Sequence, residues 1–137
     1  MVSGGAQAIL DASALLALMY DEAGADRVEA VLRRGAAIST VNWAEAISRM
    51  AERGEPTAVS EPRINTTVAA AGSLAVIAFD APQAVEAARL RVPTRHLGLS
   101  LGDRACLGLG RLRRLPVYTT DRAWRSLHIS VRIEVIR

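Results

Sequence analysis

Four acidic residues, Asp11, Glu45, Asp103 and Asp121, lie in separate stretches of the chain, each next to a short apolar run or at the start of a helical pattern. Asp11 closes the apolar run 6–10, and Asp121 follows the run 116–119. Glu45 falls in the first two turns of a helix that begins after the run 36–39, and Asp103 in the first turn of a helix beginning at Ser100. Each has a plain explanation on its own. Asp after a strand is a common helix N-cap, and Ser100-x-x-Asp103 reads as a variant capping box. Capping does not explain the cost of crowding all four. Two carboxylates about 5 Å apart repel by about 3 kcal/mol at an effective dielectric near 20. A hard divalent cation removes that cost, and a set of oxygen donors favours Mg²⁺ or Mn²⁺ over Zn²⁺. All four acids are candidate ligands of such a cation; in the leading reading Asp11, Asp103 and Asp121 ligate the metal directly or through water, and Glu45 completes the cage or orients an attacking water. Such a centre suits phosphodiester hydrolysis, in which the metal polarises a phosphoryl oxygen and acidifies water. Ser13 has no histidine partner in view, so it reads as a hydrogen-bonding support rather than a nucleophile. Asn42, Thr119 and Thr120 are polar neighbours of the same segments.

These residues need a scaffold, and composition bounds it. The chain has 137 residues, 50% hydrophobic and 23% charged, which indicates one globular domain. Aromatic residues make up only 4%, so the core must be built from Ala, Leu, Val and Ile. All 17 cationic side chains are Arg. The absence of Lys excludes a P-loop, a Schiff-base enzyme and a receiver domain that needs a lysine beside its acceptor aspartate. The single Cys106 excludes an intrachain disulfide and a Cys-based zinc cage, and His96 and His128 are too few for a His-rich centre. The net charge of +3 is carried by guanidinium, the group suited to bidentate phosphate contacts. Asp11 interrupts the apolar stretch 6–20 and no positive residue precedes it, so neither a membrane span nor a signal peptide is expected. The expected location is cytoplasmic.

Apolar runs at 6–10, 36–39, 74–79, 116–119 and 131–136 read as strands. Helical patterns occupy 12–19, 23–34, 40–53, 81–91 and 100–113, with a short helix at 122–127. Pro56 opens a further helix to Ala71, weakened by the Pro and polar residues across 55–65. In the helix from Ser100, Leu101, Ala105, Leu109 and Leu112 form an apolar stripe. Strands alternating with helices imply an α/β fold, a three-layer α/β/α sandwich around a central parallel sheet of four to five strands. The near-continuous apolar runs suit two-sided burial. Ligands gather at the carboxyl ends of such strands, where all four acids fall.

The same segments resemble a known family. Ile9-Leu10-Asp11-Ala12-Ser13 looks like the opening motif of PIN domains, and Asn42-Trp43-Ala44-Glu45 like their second acidic motif. Leu99-Ser100-Leu101-Gly102-Asp103 resembles the third, with Gly102 where Ala is more usual, a change expected to affect helix propensity and not chemistry. Thr119-Thr120-Asp121-Arg122 resembles the fourth. The compact length is similar to the toxins of VapBC toxin–antitoxin pairs. The resemblance implies a Mg²⁺- or Mn²⁺-dependent endoribonuclease acting on structured RNA such as tRNA or rRNA. It also implies a homodimer and a small VapB-like antitoxin that covers the site. Carried over, Asp11, Glu45, Asp103 and Asp121 are the acidic cluster, with Ser13 and Thr119 accessory. The rival readings are a PIN-like protein- or RNA-binding scaffold without catalysis and a DNA nuclease with the same cluster.

The remaining polar residues divide between site and scaffold. Arg104 and Arg122 follow site carboxylates and either contact RNA or pair with the acids. Arg111, Arg113 and Arg114 form a phosphate-contacting patch or complement a helix dipole. Asp80 is expected to cap a helix, Cys106, Trp43 and Trp124 to pack, and the histidines to lie on the surface. Apolar residues in the first two helices (Leu15, Leu16, Met19, Tyr20, Val28, Val31) exceed one buried stripe. They either form a partner groove or pack against the chain's own fourth helix.

Overall fold

The computed structural model describes residues 5–137. Five strands, β1 (Ile9–Leu10), β2 (Ala36–Ser39), β3 (Leu74–Ile77), β4 (Val117–Thr119) and β5 (Ile133–Val135), form one all-parallel sheet in the order β3-β2-β1-β4-β5. Six helices accompany it: α1 (Ala12–Met19), α2 (Ala25–Arg34), α3 (Thr40–Glu52), α4 (Thr57–Ala71), α5 (Ala81–Arg89) and α6 (Leu101–Arg113). Short 3₁₀ turns occupy Arg95–Leu97 and Arg122–Ser126. Among the described residues no helix is long and apolar enough to cross a membrane.

Side chains of the central strands alternate between two cores, as the period of a strand requires. Leu10, Ile38 and Tyr118 meet α1, α2, α3 and α4 on one face. Ile9, Ala37 and Val117 meet Leu90, Cys106, Leu107 and Leu109 on the other. This is the expected α/β/α sandwich. The apolar surplus of the first two helices is used internally: Leu15, Leu16, Met19, Val28 and Val31 are buried in the same cluster as Ile64 and Val68 of α4.

The helix expected from Pro56 to Ala71 is present as α4 and is continuous through Pro62, although the Pro and polar residues across 55–65 weaken its pattern. Its buried residues Ser60, Ile64 and Val68 recur every fourth position, and packing of that stripe outweighs the missing proline donor. Ala58, whose carbonyl would have received that donor, is exposed to water. Arg63 adds a two-pronged ion pair to Glu55, with Nε and Nη2 each 2.9 Å from a carboxylate oxygen. Two other local expectations are corrected. The third strand is not buried on both faces. It is shorter than its apolar run and lies at the sheet margin, with Val76 42% exposed. The α6 stripe is also broader than one face: Ala105 to Gly110 are all buried, whereas Leu101 and Leu112 are exposed.

Candidate active site

Strand-to-helix junctions place the polar residues. Asp11 sits between β1 and α1, 6% exposed, and its Oδ1 accepts the Ala14 amide at 2.8 Å as the α1 N-cap. Two hydroxyls bracket the same carboxylate. Ser13 Oγ donates to Oδ1 at 2.7 Å, and Thr119 Oγ1 donates to Oδ2 at 2.6 Å. Each hydroxyl is itself oriented by the segment after β4, since Ser13 Oγ accepts the Thr120 amide and Thr119 Oγ1 the Asp121 amide, both at 3.0 Å. Asp11 is thus locked in one rotamer and coupled to the β4 loop by groups more than one hundred residues away.

Asp103 and Asp121 do serve as caps. Ser100 and Asp103 form a reciprocal capping box at 3.1 Å in both directions, and Asp121 Oδ1 accepts the Ala123 amide at 2.9 Å. Each uses one carboxylate oxygen in this way. Asp103 Oδ1 and Asp121 Oδ2 make no hydrogen bond among the described residues. Capping therefore holds both side chains in place and leaves an oxygen over for a ligand. Glu45 is approached at 3.4 Å by Asn42 Nδ2 and by Arg49 Nη2, and Asn42 Nδ2 also donates to the Gly102 carbonyl at 3.0 Å. A methyl group at Gly102 would lie 3.1 Å from Glu45 Oε1, so this glycine makes room for the carboxylate. The side chain missing at Gly102, expected from sequence to matter for helix propensity alone, leaves the space in which Glu45 rests against α6.

Asp11, Ser13, Glu45, Asp103 and Asp121 line one cavity of about 280 Å³ at the carboxyl ends of the strands, with Arg49, Thr120 and Trp124. Thr119 is fully buried behind Asp11. Burial raises the Asp11 carboxyl from 3.8 to about 6; the hydroxyl and amide hydrogen bonds oppose that rise, and the nearby Asp103 charge adds to it. The Cys106 thiol, buried beneath the cavity, is pushed well up by desolvation and by the fields of Asp11, Asp103 and Glu45. It stays a neutral thiol and packs.

The donor set fits a hard divalent cation. It is all oxygen, Asp11 has no cationic partner among the described residues, and Asp103 and Asp121 each have a free oxygen. No three of the described His, Cys, Asp or Glu side chains close into a preformed metal cage. The carboxylates instead surround an open cavity.

Other candidates fall outside it. Arg104 Nη1 donates to the Ala87 carbonyl at 3.0 Å and Arg122 Nε to the Arg137 carbonyl at 3.0 Å, so neither pairs with a site acid. Arg111 is taken up by the buried Glu86, with Nε 3.1 Å from Oε2. Asp80 caps α5 through the Gln83 amide at 3.0 Å, and both histidines are exposed. Trp124 is buried, and Trp43 packs against the α1–α4 core. Arg49 was not singled out by the sequence; its position one helical turn after Glu45 is the signal that points to it.

Residues 8–129 match the model of the PIN domain family, and the chain belongs to that family. No curated protein matches it significantly. Among solved structures it is similar to VapBC2 from Rickettsia felis bound to a DNA fragment from their promoter, with a TM-score of 0.71 and 14% identity over 93% of this chain and 96% of that one. It is similar to a toxin–antitoxin complex from Klebsiella pneumoniae, with a TM-score of 0.66 and 19% identity over 92% and 99% of the two chains. VapBC-5 from Mycobacterium tuberculosis gives 0.57 and 22% identity over 97% and 99%.

Proposed function

We propose that this chain is a Mg²⁺-dependent endoribonuclease, with Mn²⁺ as a substitute, and the toxin of a toxin–antitoxin pair. Its substrate is structured RNA such as tRNA or rRNA, cut to leave a 5′-phosphate and a 3′-hydroxyl. The observation that carries this reading is the convergence of Asp11, Glu45, Asp103 and Asp121, from four separate segments, on one cavity at the carboxyl ends of a parallel sheet. Membership of the PIN family and the similarity to chains of VapBC complexes support it. The partners are a VapB-like antitoxin and a second copy of the chain, and the compartment is the cytoplasm.

Asp11, Asp103 and Asp121 would hold the cation, which supplies Lewis-acid polarisation of the phosphate and a more acidic water. Ser13 and Thr119 keep both oxygens of Asp11 fixed, so the carboxylate needs little reorganisation when a ligand arrives. Glu45, resting in the space beside Gly102 and steadied by Asn42, accepts a proton from the attacking water or orients it. Arg49, at the cavity wall, contacts the phosphate backbone, and Arg104 and Arg122, which lie outside the cavity lining, are RNA contacts only if the RNA extends beyond it.

Thermal melting in EDTA and in millimolar Mn²⁺ tests the site directly. Mn²⁺ at one hundred times its dissociation constant is expected to stabilise the wild type by about 2.7 kcal/mol. Asp11→Asn should lose most of that gain, and an unshifted wild-type transition would count against the reading. Gly102→Ala tests the Glu45 contact. Helix propensity predicts a gain of about 0.5–1 kcal/mol, whereas displacement of Glu45 predicts a several-fold slower single-turnover cleavage, on the order expected for a small misplacement. A higher melting temperature together with unchanged cleavage would remove the role given to Gly102.

A further inference from the structure

The opposite end of the sheet, where the strands begin, carries a different charge. Arg33 and Arg34 precede β2, Arg113 and Arg114 precede β4, and Arg132 precedes β5. Backbone hydrogen bonds tie these segments into one surface: Gln7 N to Gly35 O at 2.9 Å, Ile9 N to Pro116 O at 2.8 Å and Val117 N to Arg132 O at 2.9 Å. β2 and β4 flank β1, so their starts lie about 10 Å apart, with β5 about 5 Å further on. No Asp or Glu occurs in residues 5–8, 33–35, 72–73, 111–116 or 129–132. Arg33, Arg34, Arg113 and Arg114 are exposed and, among the described residues, make no side-chain hydrogen bond or ion pair. Arg132 is exposed as well and shares Glu134 at 2.6 Å.

Complementing helix dipoles accounts for Arg33, Arg34 and Arg113, which lie in the last turns of α2 and α6. It extends to Arg114, the C-cap of α6, but does not account for Arg132, which closes no helix, or for the turn at Ser130. Arg114 (φ 56°) and Ser130 (φ 60°) both hold left-handed conformations that favour glycine or asparagine. Both line the same concavity of about 320 Å³, together with Pro116 and Arg132. Two uncommon backbone conformations thus face one pocket that carries two guanidinium groups.

We propose that this end of the sheet is a second nucleic-acid contact, at which Arg114 and Arg132 hold an RNA phosphate while Arg33, Arg34 and Arg113 extend the contact along the backbone. A row of guanidinium groups across the starts of β2, β4 and β5 fits an extended polyanion better than a single small anion, and the fork geometry of Arg suits phosphate. The inference rests on the nucleic-acid reading of the chain but not on the acidic cavity, because it requires no cation.

Binding of a fluorescein-labelled RNA hairpin to the full chain, in EDTA and in an Asp103→Asn background that does not cut, separates the two sites. The triple variant Arg113→Gln, Arg114→Gln, Arg132→Gln is expected to bind at least about tenfold more weakly at 0.1 M salt. The slope of log affinity against log salt should fall by about 2 to 3. Arg114→Gly is expected to melt about 3 °C higher, because glycine relaxes the left-handed position, and still to bind RNA several-fold more weakly. That variant keeps the test decisive if the triple variant fails to fold. Wild-type affinity and salt slope in the triple variant would overturn the proposal, as would a stabilised Arg114→Gly variant with unchanged RNA affinity. Loss of binding to phosphatidylglycerol vesicles with RNA binding intact would overturn it too, and would make this a lipid-facing surface.

Discussion

Asp103→Asn is expected to slow RNA cleavage by on the order of a thousandfold while leaving the metal-free protein at least as stable as the wild type. The two halves of this result come from different oxygens of one side chain. Oδ2 accepts the Ser100 amide at 3.1 Å, and an amide oxygen in the same place keeps that bond and the capping box. The free oxygen contributes charge to the cavity, and asparagine removes the charge. It also removes repulsion on Asp11, one of the causes that lift the Asp11 carboxyl. Single-turnover cleavage of an end-labelled RNA and a thermal melt in EDTA measure the two halves. A markedly lower melting temperature with cleavage intact would reduce Asp103 to a helix cap.

Asp11 should make the stability of the metal-free protein depend on pH in a direction opposite to that of a salt-bridged acid. Burial raises its folded-state carboxyl from 3.8 to about 6, so between roughly pH 4 and 6 the folded chain holds a proton that the unfolded chain has released. Stability therefore falls as pH rises through that window, and the deficit at pH 7 is about 3 kcal/mol for a difference of this size. Asp11→Asn should flatten this part of the profile and keep the contact to the Ala14 amide. Denaturant titrations in EDTA at pH 4, 5, 6 and 7 read it directly. Wild-type and variant curves that run parallel would show that Asp11 ionises at its ordinary value. A divalent cation competes with the proton, so the Mn²⁺-induced melting shift should shrink below pH 6.

Most of the architecture was legible in the sequence because its signals are local. Apolar runs closed by Asp11, Ser39 and Thr119, each followed by a helical pattern, specify alternating strands and helices, and with them a parallel sheet whose carboxyl ends collect the acids. Buried Ala105 and Leu109 follow from the α6 spacing. The same reasoning went wrong where burial depends on a neighbour remote in sequence. The run at 74–79 reads as a fully buried strand, yet only β2 lies beside it, so Val76 is 42% exposed. Leu101 and Leu112 continue the stripe of α6 beyond the elements that cover it. The helix to Ala71 was legible despite its weak pattern at 55–65, and what secures it is tertiary: Ile64 and Val68 are anchored by contacts with helices that precede them in the chain.

The residue types, their order and their spacing determined by themselves that Asp11 and Asp121 would follow strands, that Glu45 and Asp103 would lie in the first turns of helices, and that apolar strands would alternate with helices. Those are properties of one turn of helix or one strand, governed by backbone periodicity and capping. The fold alone decided which groups touch. It set Thr119 against Asp11 across 108 positions, laid Glu45 in the space left by Gly102, turned Arg111 toward the buried Glu86, and aligned Arg33, Arg114 and Arg132 along one end of the sheet. Strand order brings these partners together. It follows from how two apolar cores close around the sheet, a collective balance of burial that no short stretch of sequence contains.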